Sequence, residues 1–167
     1  PRSAVEEAIR SGLTLFGENR VQEAEEKYRD LPGRYELHLI GHLQRNKARR
    51  VPGRFGWVQS IDAERTAVAL NKACADASVE LSVLLEVNIS GEEQKYGVSG
   101  RDSLRSLLDS LADLERLRCR GLMGIAPWVG EEAKIRRSFA ELREEYELLR
   151  TERPELPFDT LSMGMSG

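Results

Sequence analysis

The last residues of the chain carry the clearest chemical signal in the sequence. An apolar segment runs directly into small and hydroxyl-bearing residues, among them Ser162, Gly164, Met165 and Ser166. Small residues let backbone N–H groups approach a phosphate, and serine hydroxyls add further hydrogen-bond donors. The pattern predicts a phosphate site. The alternative is a plain turn after a strand, since serine and glycine also dominate turns.

Three other residues occupy comparable positions in or just after apolar segments. Asn19 follows Phe16-Gly17-Glu18, His42 follows Gly41, and Met123 lies inside a glycine-bounded segment. The Asn19 amide could contact a ligand or cap the following helix, and the residues alone leave both readings open. Met123 could offer a soft apolar surface to a ligand or simply fill the core. His42 could line the same site.

An alternation of strands and helices would position these residues. Glu86 stands inside the longest apolar segment, which is typical of a strand covered on both faces. Ser3 and Asp62 are predicted helix N-caps. Strands are predicted at residues 13–16, 35–41, 57–61, 81–89, 117–125 and 158–163, and helices at 3–11, 19–30, 43–50, 63–77, 102–111 and 131–153. Short connections between such elements indicate an α/β fold with a parallel sheet.

The predicted fold class is a TIM-type β/α barrel, in which the C-terminal ends of the strands meet on one face. Such a barrel has about eight strands, whereas six are predicted here. We therefore expect the first and last strands to be missing from this chain, and residues 1–167 to be the internal portion of a single barrel domain. A six-stranded open sheet is the alternative, but it would leave two apolar edges unpaired.

Composition excludes several classes of protein. The 167 residues carry a net charge of −3, and no segment approaches the roughly 20 apolar residues that span a bilayer. Two isolated cysteines, Cys74 and Cys119, are expected to be packing residues in a reducing cytoplasm.

The basic residues between 45 and 54 are expected to form a solvated helix face, so neither nucleic acid nor membrane is a predicted partner. His38 and His42 lie about 13 Å apart on a strand, too far for one metal ion.

Several segments of the chain resemble the pyridoxal phosphate homeostasis proteins of the YggS/PROSC family. They are Phe-Gly-Glu-Asn-Arg-Val-Gln-Glu at 16–23, His-Leu-Ile-Gly-His-Leu-Gln-Arg-Asn-Lys at 38–47 and Leu-Ser-Met-Gly-Met-Ser at 161–166. Residues 60–62, 87–90, 95–97 and 120–123 agree as well. The resemblance covers essentially the whole chain. Leu37 departs from it, because the family often has an aromatic residue there.

The resemblance implies a single barrel similar to the N-terminal domain of alanine racemase, with pyridoxal 5′-phosphate bound as a Schiff base to a lysine. That lysine lies upstream of Pro1 in the family pattern and is therefore absent from this sequence. Of the five lysines present, Lys47 is the least remote substitute, and we expect none to replace it. No catalytic residue and no metal ligand is predicted. The implied cofactor-binding residues are Asn19, His42, Met123, Ser162, Gly164, Met165 and Ser166.

The function implied by the resemblance is pyridoxal phosphate binding and vitamin B6 homeostasis, without a turnover reaction. The implied partners are the cofactor and pyridoxal phosphate-dependent apoenzymes, and a monomer is expected. The alternative is a pyridoxal phosphate-dependent enzyme of the alanine racemase type, which would need groups from a second domain. A sugar-phosphate barrel enzyme using the terminal phosphate site is a third reading.

Overall fold

Six parallel strands form one sheet in the computed structural model, which describes residues 1–92, 95–126 and 131–165. The strands are β1 (Leu15–Glu18), β2 (Glu36–Leu39), β3 (Trp57–Ile61), β4 (Leu81–Glu86), β5 (Leu117–Ala126) and β6 (Thr160–Met165). Their order in the sheet is their order in the chain, and every neighbouring pair is parallel. The predicted α/β architecture with a parallel sheet is confirmed.

The connecting helices follow the predicted alternation, with one difference in type. They are α1 (Arg2–Arg10), α2 (Val21–Lys27), α3 (Glu64–Asp76), α4 (Arg101–Ser110) and α5 (Glu132–Glu152). The basic segment predicted as a helix at 43–50 is a 3₁₀ helix, Arg45–Arg50. Its backbone bonds include Lys47 N–H to the Gln44 carbonyl, the tighter spacing that is common in short connecting pieces.

Both predicted helix caps are wrong. Helix α1 begins one residue before Ser3, so Ser3 lies inside the first turn. The N-cap position of α3 is Ala63, without a side-chain cap bond, and Asp62 lies just outside the helix. The Asp62 carboxylate faces His42 instead. A short polar side chain after a strand can turn toward the helix or toward the end of the sheet, and the local sequence does not distinguish them.

Alternating residues of the strands divide the sheet into two faces. Leu39, Val83 and Leu85 are fully buried in the core cluster that the helices complete, together with Leu142 and Leu149 of α5. Because successive side chains of a strand point to opposite faces, the residues between them lie on the other face of the sheet. That second face is the concave one.

The concave face is closed across its middle by a polar chain. The Ser162 hydroxyl on β6 donates to Gln59 Oε1 on β3 at 2.7 Å, although two strands separate β6 from β3 in the sheet. Gln59 Nε2 in turn donates to His38 Nδ1 at 2.7 Å. A flat sheet could not make the first contact, so the sheet is curled as part of a TIM-type barrel.

Two further expectations concern the thiols and the membrane. Cys74 and Cys119 are free and buried, and burial raises the pKa of Cys74 to about 11 and that of Cys119 to about 12. Both are therefore packing residues held as thiols, as expected. Within the described ranges, no helix combines the length and apolar character that crossing a bilayer requires.

The helix-facing core can be tested with two leucines of the same chemistry. Leu122 is fully buried in β5, whereas Leu13 is 58% exposed. We expect Leu122→Ala to lower the free energy of unfolding by about 2–5 kcal/mol, because it leaves a cavity between the sheet and the helices. Leu13→Ala should change it by less than about 0.5 kcal/mol. Urea denaturation of both variants measures this, and equal losses would contradict the assignment of faces.

Candidate functional site

The ends of β1 and β2 form one side of a cleft of about 640 Å³. Asn19 and His42 both line it, together with Lys47 and Tyr96. The backbone is close-packed here, since a Cβ on Gly41 would lie 2.2 Å from the Asn19 carbonyl oxygen. The helix-capping reading of Asn19 is wrong, because Arg20 occupies the N-cap position of α2 and makes no side-chain cap bond. The structure thus brings Asn19 and His42 together at the C-terminal ends of the strands, which form the mouth of the curled sheet.

The His42 ring lies between two other connections of the sheet. It stacks on the Tyr96 ring with centroids 3.8 Å apart and an interplanar angle of 9°. Its Nδ1 lies 3.3 Å from Asp62 Oδ2, just beyond the end of β3. His42 therefore joins the ends of β2 and β3 to the loop that follows β4.

The loop that carries Tyr96 is fastened to the end of β4. Val98 N–H donates to the Glu86 carbonyl at 2.7 Å, and Asn88 N–H donates to the Val98 carbonyl at 3.0 Å. Gly97 makes this return possible, because its φ is +108° and a Cβ there would lie 2.6 Å from the Asn88 nitrogen. The loop therefore holds Tyr96 against His42 through backbone bonds.

Glu86 is a buried acid at the C-terminal end of β4. Its side chain lies on the concave face, opposite Leu85, and the residue is only 6% exposed. Among the described residues, nothing hydrogen-bonds to its Oε2 atom. Burial, and secondarily the nearby Asp62 carboxylate, raise the pKa of Glu86 to about 7. An acid in this position holds or releases a proton near neutral pH.

Glu86, Met123 and Ser162 form a row across three neighbouring strands. Glu86 is the register partner of Met123, and Met123 is the register partner of Ser162. Neighbouring strands lie about 4.8 Å apart, so the three residues sit side by side on the concave face. Met123 is 3% exposed. Contacts and strand register together form a continuous row of residues along the mouth, from the end of β1 to β6. These residues are Asn19, His42, Asp62, Glu86, Met123 and Ser162.

The terminal segment extends this row along β6. The Ser162 hydroxyl is bonded to Gln59, so its proton is directed into the curled sheet. Gly164 is exposed and a Cβ there would meet no atom within 4 Å, while Met165 is 45% exposed. Ser166, the fourth predicted residue of this segment, lies outside the described residues. Gly164 and Met165 thus present open backbone at the edge of the mouth.

Sequence reasoning missed two residues of this surface, Asp62 and Glu86. The local sequence predicts Asp62 as a helix cap. Glu86 is visible in the sequence as an acid within an apolar strand, and that is the available signal, because an acidic residue is almost never fully buried without a partner. For Asp62, the neighbouring residues in the sequence contain no comparable signal that its side chain faces the concave surface.

His38 and the basic segment have structural roles. His38 accepts from Gln59 and stacks on Trp57 with centroids 5.1 Å apart, and burial lowers its pKa, so it packs inside the curled sheet as expected. The basic segment is not simply solvated, because Arg50 and Arg54 both pair with Glu25. No group of three metal-ligating side chains occurs in the part of the chain that the structure describes.

Comparison with known proteins relates this chain to a defined set of proteins. Residues 3–167 match the family model of the alanine racemase N-terminal domain. The pyridoxal phosphate homeostasis protein of Haemophilus influenzae is 39% identical over 99% of this chain and 71% of its own length. The protein of the same name from Pseudomonas aeruginosa is 41% identical over 99% of this chain and 70% of its own length.

Solved structures give the same relationship. PipY of Synechococcus elongatus with PLP bound matches with a TM-score of 0.86 and 35% identity, over 100% of this chain and 78% of that chain. PipY without PLP matches with a TM-score of 0.90 and 30% identity, over 99% and 85%. Alanine racemase of Clostridium difficile matches with a TM-score of 0.68 at 9% identity, over 98% and 44%, which is a likeness of fold alone.

The close approach of the β1 and β2 connections predicts a strong effect of one added methyl group. Gly41→Ala should lower the free energy of unfolding by about 1–3 kcal/mol, because the new Cβ overlaps the Asn19 carbonyl. Gly164→Ala is the matched control, with no atom within 4 Å of its Cβ, and should change stability by less than about 0.5 kcal/mol. Urea denaturation compares them. Unchanged stability of Gly41→Ala would contradict the packing at the mouth.

The buried acid predicts a pH-dependent gain from Glu86→Gln. Folding raises the pKa of Glu86 from 4.5 to about 7, so as pH rises through this interval the unfolded chain releases its proton first. The wild-type protein thereby loses up to about 3 kcal/mol of stability between pH 4.5 and 7. Glutamine has no such proton. The stability difference between variant and wild type should therefore grow across this interval and stay constant above it.

Urea denaturation at several pH values measures this difference, and Glu64→Gln at an exposed position of α3 is the control. The control should show no comparable growth, because its carboxylate remains in water. A difference that is flat from pH 4.5 to 8 in Glu86→Gln would mean that Glu86 ionises normally in the folded protein.

Proposed function

We propose a pyridoxal 5′-phosphate-binding role in vitamin B6 homeostasis, because this chain belongs to the family of the alanine racemase N-terminal domain and of the pyridoxal phosphate homeostasis proteins. The observation that carries the proposal is the continuous concave surface from Asn19 to Ser162 at the mouth of the sheet. A solved relative of 35% identity, PipY, has PLP bound.

The residues at the mouth fit a small planar phosphorylated ligand. Met123 supplies a soft apolar surface for a ring. A buried polar atom lies on the neighbouring strand, since Glu86 Oε2 lacks a hydrogen-bond partner among the described residues. Such atoms favour a ligand that carries its own polar substituents.

The phosphate group belongs at the β6 side of the mouth. Glu86 and Asp62 make the β3 and β4 side acidic, which would repel a phosphate. Gly164 and Met165 instead present exposed backbone on a strand edge with open space around the glycine. The sequence adds the Ser166 hydroxyl as a further donor there, whereas the Ser162 hydroxyl donates to Gln59 and would have to turn from that bond to reach the phosphate. We therefore assign Ser162, Gly164, Met165 and Ser166 to the phosphate.

The ring then lies across Met123, with Asn19 and His42 at its far edge. The exposed Asn19 amide can donate to and accept from ring substituents, and His42 is held in place by Tyr96 and Asp62. The bound cofactor supplies an aldehyde that reacts with primary amines. The protein's own contribution is to bind that group, orient it and limit its encounter with other amines.

The role is that of a carrier without turnover. The relatives that share 39–41% identity over nearly the whole chain are named as homeostasis proteins, whereas the racemase likeness is one of fold. In this proposal the chain acts as a single-domain monomer in the cytoplasm and makes the cofactor available to pyridoxal phosphate-dependent apoenzymes. Neither nucleic acid nor membrane takes part.

The proposal predicts saturable binding of pyridoxal 5′-phosphate that depends on Asn19. We expect Asn19→Ala to weaken binding about 3–10-fold, because it removes one hydrogen bond to the ligand. Asn46→Ala, at an exposed position of the 3₁₀ helix, should leave affinity unchanged. Titration followed by cofactor absorbance and tryptophan fluorescence measures both variants. Absence of saturable binding would overturn the function, and equal affinities would remove Asn19 from the site.

A further inference from the structure

The Glu86 carboxyl is a buried acid beside the proposed ring position. It lies beside Met123 by strand register, at about one strand spacing of 4.8 Å, and about two spacings from Ser162. It is 6% exposed, and its Oε2 atom lacks a hydrogen-bond partner within the described ranges. The carboxyl group is therefore poorly solvated, and its Oε2 atom is unpaired among the described residues.

The groups around Glu86 do not neutralise it. Just beyond the end of β3, the Asp62 carboxylate carries the same sign of charge as an ionised Glu86 and repels it. His42, from the connection after β2, faces Asp62 at 3.3 Å, and β5 presents the uncharged Met123. In the loop after β4, Lys95 Nζ pairs with Glu92 at 2.8 Å. Within the described part of the chain, Glu86 has no salt-bridge partner.

We propose that Glu86 must hold a proton when the anionic cofactor is bound, so that ligand uptake at the mouth is coupled to the uptake of one proton. This inference rests on the proposed function, because the ligand it concerns is pyridoxal 5′-phosphate. In this inference Glu86 controls the pH dependence of ligand binding, which is a role separate from the contacts that Asn19, His42 and the β6 segment make with the ligand.

The physical reason is the accumulation of negative charge in a poorly solvated space. A phosphate monoester carries about −1.5 to −2 charge at neutral pH, and Asp62 already contributes another. An ionised Glu86 would add a third negative group within about 5–10 Å of the ligand. Protonation removes that charge and converts Oε2 or its partner oxygen into a hydrogen-bond donor. The proton comes from solvent, and the neutral acid remains on Glu86 while the ligand is bound.

The coupling has a definite pH range. In the free protein the pKa of Glu86 is about 7, so below that value the acid is already neutral and binding draws no proton to it. Above pH 7 the free protein has ionised Glu86, and binding must recover the proton. Affinity should therefore fall by up to about tenfold per pH unit above pH 7. A rise in pH would release the cofactor.

Isothermal titration calorimetry tests this directly. The wild-type chain is titrated from pH 6 to 9 with pyridoxal 5′-phosphate and with 4′-deoxypyridoxine 5′-phosphate, which has no aldehyde. At pH 8, two buffers of different ionisation enthalpy give the number of protons taken up. We expect close to one more proton in the wild type than in Glu86→Gln, with either ligand. Glu64→Gln should match the wild type.

Two variants separate this inference from a structural effect. Glu86→Gln imitates the protonated acid, so its affinity at pH 8 should equal its own affinity at pH 6.5, apart from the ligand's titration. Asp62→Asn removes the like charge and lowers the pKa of Glu86 in the free protein, so the decline in affinity should begin at a lower pH than in the wild type. Glu86 of the free variant is then ionised at pH 8, and the proton uptake on binding at that pH should stay near one.

The outcomes are distinguishable. Binding by the wild type with the same proton count as Glu86→Gln overturns the inference and leaves the proposed function intact. Failure of both ligands to bind at any pH overturns the proposed function. An excess proton that persists in Glu86→Gln assigns the coupling to another group and also overturns the role of Glu86.

Discussion

The curl of the parallel sheet is the constraint on which the rest of the structure depends. The bond from Ser162 on β6 to Gln59 on β3 spans the concave face, and Gln59 continues it to His38 on β2. Without that curvature the ends of β1 and β6 would lie at opposite edges of a flat sheet. With it, residues far apart in sequence border a single mouth.

The curl also explains why the two faces of the sheet differ in chemistry. The convex face packs against helices and is occupied by leucine and valine, so it contributes stability. No helix of the described residues covers the concave face, which bears hydroxyl, amide and imidazole groups that bond to one another, together with the Glu86 carboxyl. Polar groups at the mouth whose partners are incomplete, such as Glu86, are then the points at which a ligand can be recognised.

The acidic pair at the mouth illustrates how function and stability oppose each other. Burying Glu86 beside Asp62 raises the pKa of Glu86 to about 7, so the folded protein is less stable wherever that acid ionises. A glutamine would avoid this cost. A buried ionisable group beside candidate cofactor-binding residues is typical of positions where binding or release of a proton contributes to function.

The sequence by itself determined the repeating architecture. Apolar periodicity and glycine positions predicted all six strands, and the positions of Asn19 and His42 just after two of them predicted that these residues lie at one end of the sheet, where both line the same cleft. Tertiary structure decided what those local patterns leave open: that Asp62 faces His42, that Ser162 reaches Gln59, and that Glu86 is unpaired. Each depends on the curl and register of strands distant in sequence, and local spacing carries no information about either.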